Sequence, residues 1–398
     1  MKDLAYFAGY GKQYWFNLIK PDIDGKCDCI TVCEVDRVSG KMKVVNSLHG
    51  LESPATLVVS PDGRFLYAAN ELNNFEGLGN GGGISAFSID GEGGIKLINQ
   101  SFAAGSCTAY ITVDKTGRYI LVANHGSYYY CSRYEILDDG SIKPIVIKDE
   151  GCVCLFEVRE DGGVGKLLDR LVLDGVGYDP LVHGSSHPHS VLIDDDDFVV
   201  VPNKGGDNIY VCRLDRDCGK LMPLSVFDAG CGSSPRHAFF CKGTPYVLVV
   251  NEYDAHVCSY RLDRKEGELS LVSRLDTYNG DVNQSSNLIS TKRPWAIDVQ
   301  VHPNGKFVYV NNTQDLISLF HMDKESGELG LIDQLRVGSS GMTRGMQISP
   351  DGRFLCVTCV SGEEAKVYSI NQDVGVLSLV QNISLPTPTA LRYVYEDR

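Results

Sequence analysis

The chain has 398 residues, with 37 Lys+Arg against 51 Asp+Glu and a formal net charge of −14. That balance excludes a binder of nucleic-acid backbone, which needs a basic stripe. A composition of 43% hydrophobic and 22% charged residues excludes a disordered chain. No run of 18 apolar residues reads as a bilayer-spanning helix, and the first residues lack the apolar core of a secretory signal. Fourteen cysteines without an export signal read as reduced thiols, so a cytoplasmic location is expected.

Taken in chain order, short alternating segments at 4–8 and 30–35 come first. A repeating unit follows: a turn with Asp or Asn and Gly, a basic or aromatic residue, then an apolar run that often closes on Asn. It reads Ser60-Pro-Asp-Gly-Arg-Phe-Leu-Tyr-Ala-Ala-Asn70, then Asp114-Lys-Thr-Gly-Arg-Tyr-Ile-Leu-Val-Ala-Asn124. Degenerate copies run 194–203 and 241–251, and clear ones return at 302–312 and 349–358. Each copy leads into further strand-like segments, such as 256–263 and 267–272, bounded by Gly and Asp. Period-2 alternation between such turns is the strand signature, and no 3.6-residue stripe competes with it.

The spacing of 47 residues from 194 to 241 and from 302 to 349 fits four short strands, one blade of a propeller. Six internal units start near 57, 110, 189, 236, 297 and 344. The tail 388–395 resembles an innermost strand, and the N-terminal segments supply its neighbours. The prediction is therefore an all-β, seven-bladed β-propeller formed as one domain over 1–398, its ring closed by the N- and C-terminal strands. Two stretches break the period. One is an insertion at about 131–151, and the other a long polar loop at about 278–292; each is an equal candidate for a pocket wall or an idle loop.

Several motifs have bland readings. The glycine run after Asn80 precedes a strand, not a helix N-terminus, so it is a loop rather than a phosphate cradle. Cys27, Cys29 and Cys33, and Cys152 with Cys154, read as small buried apolar groups, since no second Cys or His pair completes a zinc set. The run Asp194-Asp-Asp-Asp197 reads as a solvated hairpin turn.

Other residues share one phase of the repeat. His189, Arg236, Arg293 and Arg344 lie just before or on successive innermost strands, whose upstream ends open at the central channel. Glu252 ends the next strand of the unit that holds Arg236. Arginines gathered at a dry site repel one another without an anion, which suggests a pocket for a carboxylate or phosphate.

At these residues the sequence resembles the propeller lactonase family, which includes bacterial 6-phosphogluconolactonase and fungal carboxy-muconate cyclase. The resemblance rests on Pro188-His189-Ser190, Gly232-Ser-Ser-Pro-Arg236-His237, Val250-Asn-Glu252, Arg293-Pro-Trp-Ala-Ile-Asp298 and Thr343-Arg344-Gly345, and spans the whole chain. It implies catalytic roles for His189, Arg236, Glu252 and Arg293, with Arg344 close by, and needs no metal or organic cofactor. His187, His237, Arg344 and His125 are candidate substrate-binding residues, with His183 a further imidazole upstream. The implied substrate is a small, anionic, sugar-derived lactone, and the implied protein a monomer or weak homo-oligomer with neither nucleic acid nor membrane as partner. Either His189 or Glu252 takes the proton from water, and Arg236 or Arg293 stabilises the oxyanion. A cycloisomerase or lyase acting on a carboxylated substrate in the same pocket is the alternative, and a non-catalytic propeller scaffold the second.

Overall fold

The computed structural model describes residues 2–12, 25–75, 81–128, 130–178, 183–279, 294–338 and 342–395. These form seven four-stranded antiparallel sheets and one separate two-stranded ribbon. Six blades are continuous in sequence, and we number them 1 to 6 by their innermost strands: Pro54–Val59, Thr108–Val113, Leu192–Ile193, Pro235–Phe240, Ala296–Val301 and Thr343–Ile348. In blade 7, Pro388–Val394 is innermost and pairs with Leu4–Gly9, which pairs in turn with Cys29–Val35 and then Met42–His49. The expected seven-bladed ring and its closure by the two terminal strands are both present.

The repeat has a local cause. In the turn after each innermost strand, Ser60 donates to Asp62 (2.6 Å) and accepts from the Phe65 amide (2.9 Å), and Ser349 does the same with Asp351 and Phe354. Gly63, Gly117, Gly305 and Gly352 follow with φ of 69–74°, a left-handed conformation that only glycine adopts without strain. The Asn that closes the second strand is fully buried, and its amide ties down the incoming loop. Asn70 donates to the Glu52 carbonyl, Asn124 to that of Ala103 and Asn203 to that of Asp174. Second strands such as Tyr119–Asn124 are buried throughout, whereas outer strands such as Lys220–Asp228 are wet. The core is shared between blades: Leu121 and Val153 of blade 2 pack with Val199, Val201 and Cys212 of blade 3.

The insertion differs from its predicted bounds. Tyr130 does not end a blade strand; the strand stops at Asn124, and Tyr130–Ile136 pairs with Ile142–Lys148 as a ribbon outside the ring. The longer loop at 278–292 falls largely outside the described residues. Asp194 to Asp197 form the expected turn, held by Arg264 at 2.6 Å from Asp194 and by Arg216 at 2.5 Å from Asp197. All 14 cysteines are free thiols, and Cys131, Cys218 and Cys231 alone among them are exposed.

Candidate active site

The innermost strands of neighbouring blades pack side by side around the axis. At the start of almost every one, the register with the second strand slips by one residue. Pro54 faces Asn70 but Thr56 faces Ala69, and Pro235 faces Asn251 but His237 faces Val250. A bulge of this kind turns one side chain out of the sheet. The residues it selects are Ala55, Ala109, Arg236, Ile297, Arg344 and Thr389. Blade 3 reaches the same position differently: its innermost strand shrinks to Leu192–Ile193, and a single bridge from Pro188 to Asn203 leaves His189 there.

A second tier lies one residue past the end of each second strand, where the amide bonds back to the residue before the innermost strand. It consists of Tyr10, Glu71, His125, Lys204, Glu252, Thr313 and Val360. The two tiers meet at the axis.

Arg236 is the centre of one group and is fully buried. Its guanidinium lies 2.8 Å from Glu252 Oε2, 3.0 Å from His189 Nε2 and 3.2 Å from His237 Nε2, and it also donates to the Ile297 carbonyl. Lys204 Nζ sits 2.8 Å from the other oxygen of Glu252 and 5.7 Å from the Tyr253 ring. Opposite, Arg344 lies 3.6 Å from Glu71 and 5.5 Å from the Tyr10 ring. His237 Nδ1 is 3.1 Å from Asp298, whose second oxygen accepts the Met346 amide. Below the mouth, the channel is lined by Tyr110, His189, His237, Asp298, Arg344 and Arg392.

Burial sets the protonation of the imidazoles. It lowers His187 to about 3 and His237 to about 4, and holds His125 and His189 well below the ordinary histidine range. All four are neutral at pH 7. A guanidinium can only donate, so the neutral His189 ring accepts at Nε2 and carries its proton on Nδ1. That Nδ1 has no hydrogen-bond partner among the described residues. Burial first, then Arg344, lowers Arg236 to about 10. Burial likewise raises the Glu71 carboxyl above its ordinary value, against the pull of Arg344 and Arg236.

The sequence-predicted residues sort as follows. His189, Arg236, Glu252, His237 and Arg344 converge on the axis. His125 stacks on His187 at 4.6 Å and meets His189 edge-on at 5.3 Å, so both reach the cluster's rim. His187 Nδ1 is occupied by the His125 carbonyl at 2.6 Å. His183 packs on Tyr253 at 4.7 Å. Arg293 lies outside the described residues; the bulge of blade 5 selects Ile297, four residues later. Two of the arginines already have a carboxylate beside them, Glu252 for Arg236 and Glu71 for Arg344. Lys204, Glu71 and Tyr10 were missed, although their signal was present. Glu71 and Lys204 follow a strand-closing Asn as His125 and Glu252 do, and Tyr10 follows Gly9 at the same place in blade 7.

Three comparisons bear on this geometry. A 6-phosphogluconolactonase of Formosa agariphila is 27% identical over 87% of this chain and 90% of its own length. That of Bacillus subtilis is 23% identical over 83% and 87%. Among solved structures, the periplasmic gluconolactonase PpgL of Pseudomonas aeruginosa superposes with a TM-score of 0.80 at 21% identity, over 99% of both chains. A Lactobacillus plantarum protein gives 0.80 at 22% identity, over 99% of this chain and all of that one. The model of the lactonase family described as a seven-bladed β-propeller matches residues 6–393, and this chain belongs to that family.

Proposed function

We propose that this protein hydrolyses the δ-lactone of a phosphorylated sugar acid, 6-phosphoglucono-δ-lactone, at the axial cluster. The name carried by its curated relatives supports that substrate. The observation that carries the reading is the pairing, at one end of the channel, of a carboxylate clamped by two cations with a buried one that accepts from the Tyr10 hydroxyl and that burial holds above its ordinary value. Glu252 touches two cations at 2.8 Å, whereas Glu71 shares Arg344 at 3.6 Å. A carboxylate clamped by two cations is a poor proton acceptor, and one raised by burial is a good one. Glu71 is therefore the base that draws a proton from the attacking water, a role first expected of His189 or Glu252.

The tetrahedral oxyanion needs donors already in place. His189 offers its free Nδ1–H, and Arg344 a charged fork; one such donor is worth about 3 kcal/mol of barrier. Arg236 and Lys204 hold Glu252 and fix His189 as a donor. The cationic groups at the axis (Arg236, Arg344, Lys204) outnumber Glu252 and Glu71, which favours an anionic substrate tail. A cytoplasmic location belongs to the same proposal, since the periplasmic relative shows that the fold does not set the compartment.

The test is turnover of freshly generated 6-phosphoglucono-δ-lactone above its spontaneous opening. Wild type should turn over rapidly, with Glu71→Gln and Arg344→Gln each slower by about 100-fold. A folded wild type without turnover would discard this substrate and direct attention to carboxylated sugars and their eliminations.

A further inference from the structure

Away from the axis, the edge of blade 7 gathers a set of donors that the catalytic reading does not use. Cys29 opens the third strand of that blade and His49 closes the fourth, and the two are direct cross-strand partners. Partners in an antiparallel pair project to the same side of the sheet. Asp28, one residue earlier, has Oδ1 3.0 Å from His49 Nδ1. The Cys29 sulfur, an Asp28 oxygen and a His49 ring nitrogen all lie within 4.8 Å of one another. Cys27 adds a second thiol, which donates to the Cys29 carbonyl at 3.1 Å and hydrogen-bonds the Cys29 sulfur.

The sequence reading set these cysteines aside because no His or second Cys pair completed the set. The fold supplies the missing imidazole from the neighbouring strand. Tetrahedral zinc, with bonds of about 2.0–2.3 Å, needs ligand atoms about 3.3–3.8 Å apart. Closing a gap of at most 4.8 Å to that spacing takes movements of about 1 Å, and the Asp28 and His49 side chains have room to make them, being 63% and 65% exposed. The thiols come from the rigid side: Cys27 and Cys29 are 3% and 2% exposed.

We propose that Cys29, His49 and Asp28 bind one zinc ion that staples the two outer strands of the closing blade, with Cys27 completing the set once its thiol turns away from the Cys29 carbonyl. The donor chemistry selects the class of metal. Thiolate and imidazole favour Zn²⁺ and its Co²⁺ substitute, while a single carboxylate is too few oxygens for Ca²⁺ or Mg²⁺. The ion would sit about where Asp28 now touches His49, one ligand on each strand and two in the segment just before Cys29.

The chain has many other thiols, so the test must be specific to this site. Reduced, metal-free protein is titrated with Zn²⁺ in competition with a chromogenic chelator, as wild type, His49→Ala and Cys29→Ser. Wild type should take up one equivalent more than either variant, and its thermal midpoint should rise by a few degrees with zinc, as expected for a ligand of the native state. Neither variant should show that rise. His49 is mostly exposed, so His49→Ala keeps the fold even if Cys29→Ser disturbs it. With Co²⁺, wild type should develop a thiolate-to-cobalt absorption band that Cys29→Ser loses and Cys27→Ser weakens. Equal zinc uptake and equal thermal shifts in wild type and His49→Ala would overturn the proposal, as would a cobalt complex without the thiolate band.

Discussion

Glu252 and Glu71 are the same side chain at the same register position, in blades 4 and 1, yet they meet different surroundings. Lys204 is what separates them, because it gives Glu252 a second cation. Lys204→Met should lower kcat/KM by about tenfold or more and cost about 3 kcal/mol, the lower end for breaking a buried pair, since Arg236 remains. Urea unfolding together with steady-state kinetics measures both. The buried imidazoles also set a pH dependence. In the unfolded chain histidine charges near 6.5, but in the folded protein His237 does so near 4 and His187 near 3. Between those values the unfolded state binds more protons, so stability is full above pH 6.5 and falls as pH drops toward 4. Glu71 opposes this over its own window, where the folded state holds the extra proton, but it is one group against four histidines. Denaturant midpoints across pH 4–7 should therefore decline toward acid. His189, Arg236 and Glu252 were legible in the sequence because they carry distinctive chemistry beside turn signals. Lys204 carries one signal only, the strand-closing Asn before it, and without the ring that buries it a lysine there reads as a surface residue.

The elements were the most legible part of the chain, since each depends on a local device such as Ser60 with Asp62 and Gly63. The bulges were not legible. Alternation says which residues share a face of a strand, but not where the register slips, and the slip decides that Ile297 is the residue set off in blade 5. Nor was the ribbon legible: the break in the period marks an insertion at about 131–151, but nothing in it says that 130–136 and 142–148 pair with each other outside the ring. Tyr134, Ile136, Ile142 and Val146 share one face of that ribbon and are 56–77% exposed. Among the described residues it is tied back at its base, where the Ser127 amide donates to Asp149 and Lys148 to the Gly184 carbonyl. Replacing 131–147 by a short Gly-containing turn should therefore leave the thermal midpoint within about 3 °C of wild type, because so little apolar surface is buried there. Calorimetry of the deletion checks this. A larger loss would mean that the ribbon braces the His183–His189 segment.

At the scale of the molecule, the ring depends on one seam. Leu4–Gly9 is held between Cys29–Val35 and Pro388–Val394, so the two terminal strands bond to each other where every other blade uses consecutive chain. Leu391 in that seam is 1% exposed and packs with Phe7 and Tyr393. Leu391→Ala should cost about 2–5 kcal/mol, as for other buried leucines, and the loss should appear as lower cooperativity if the seam opens before the blades melt. The register puts Leu4 opposite Val394 and Gly9 beside Pro388. Leu4 and Val394 thus sit together at the end of the ring away from Arg236 and Glu71. A pull applied between those two residues would part the strand hydrogen bonds one at a time, like a zip, where a shearing load along the seam would break them all at once.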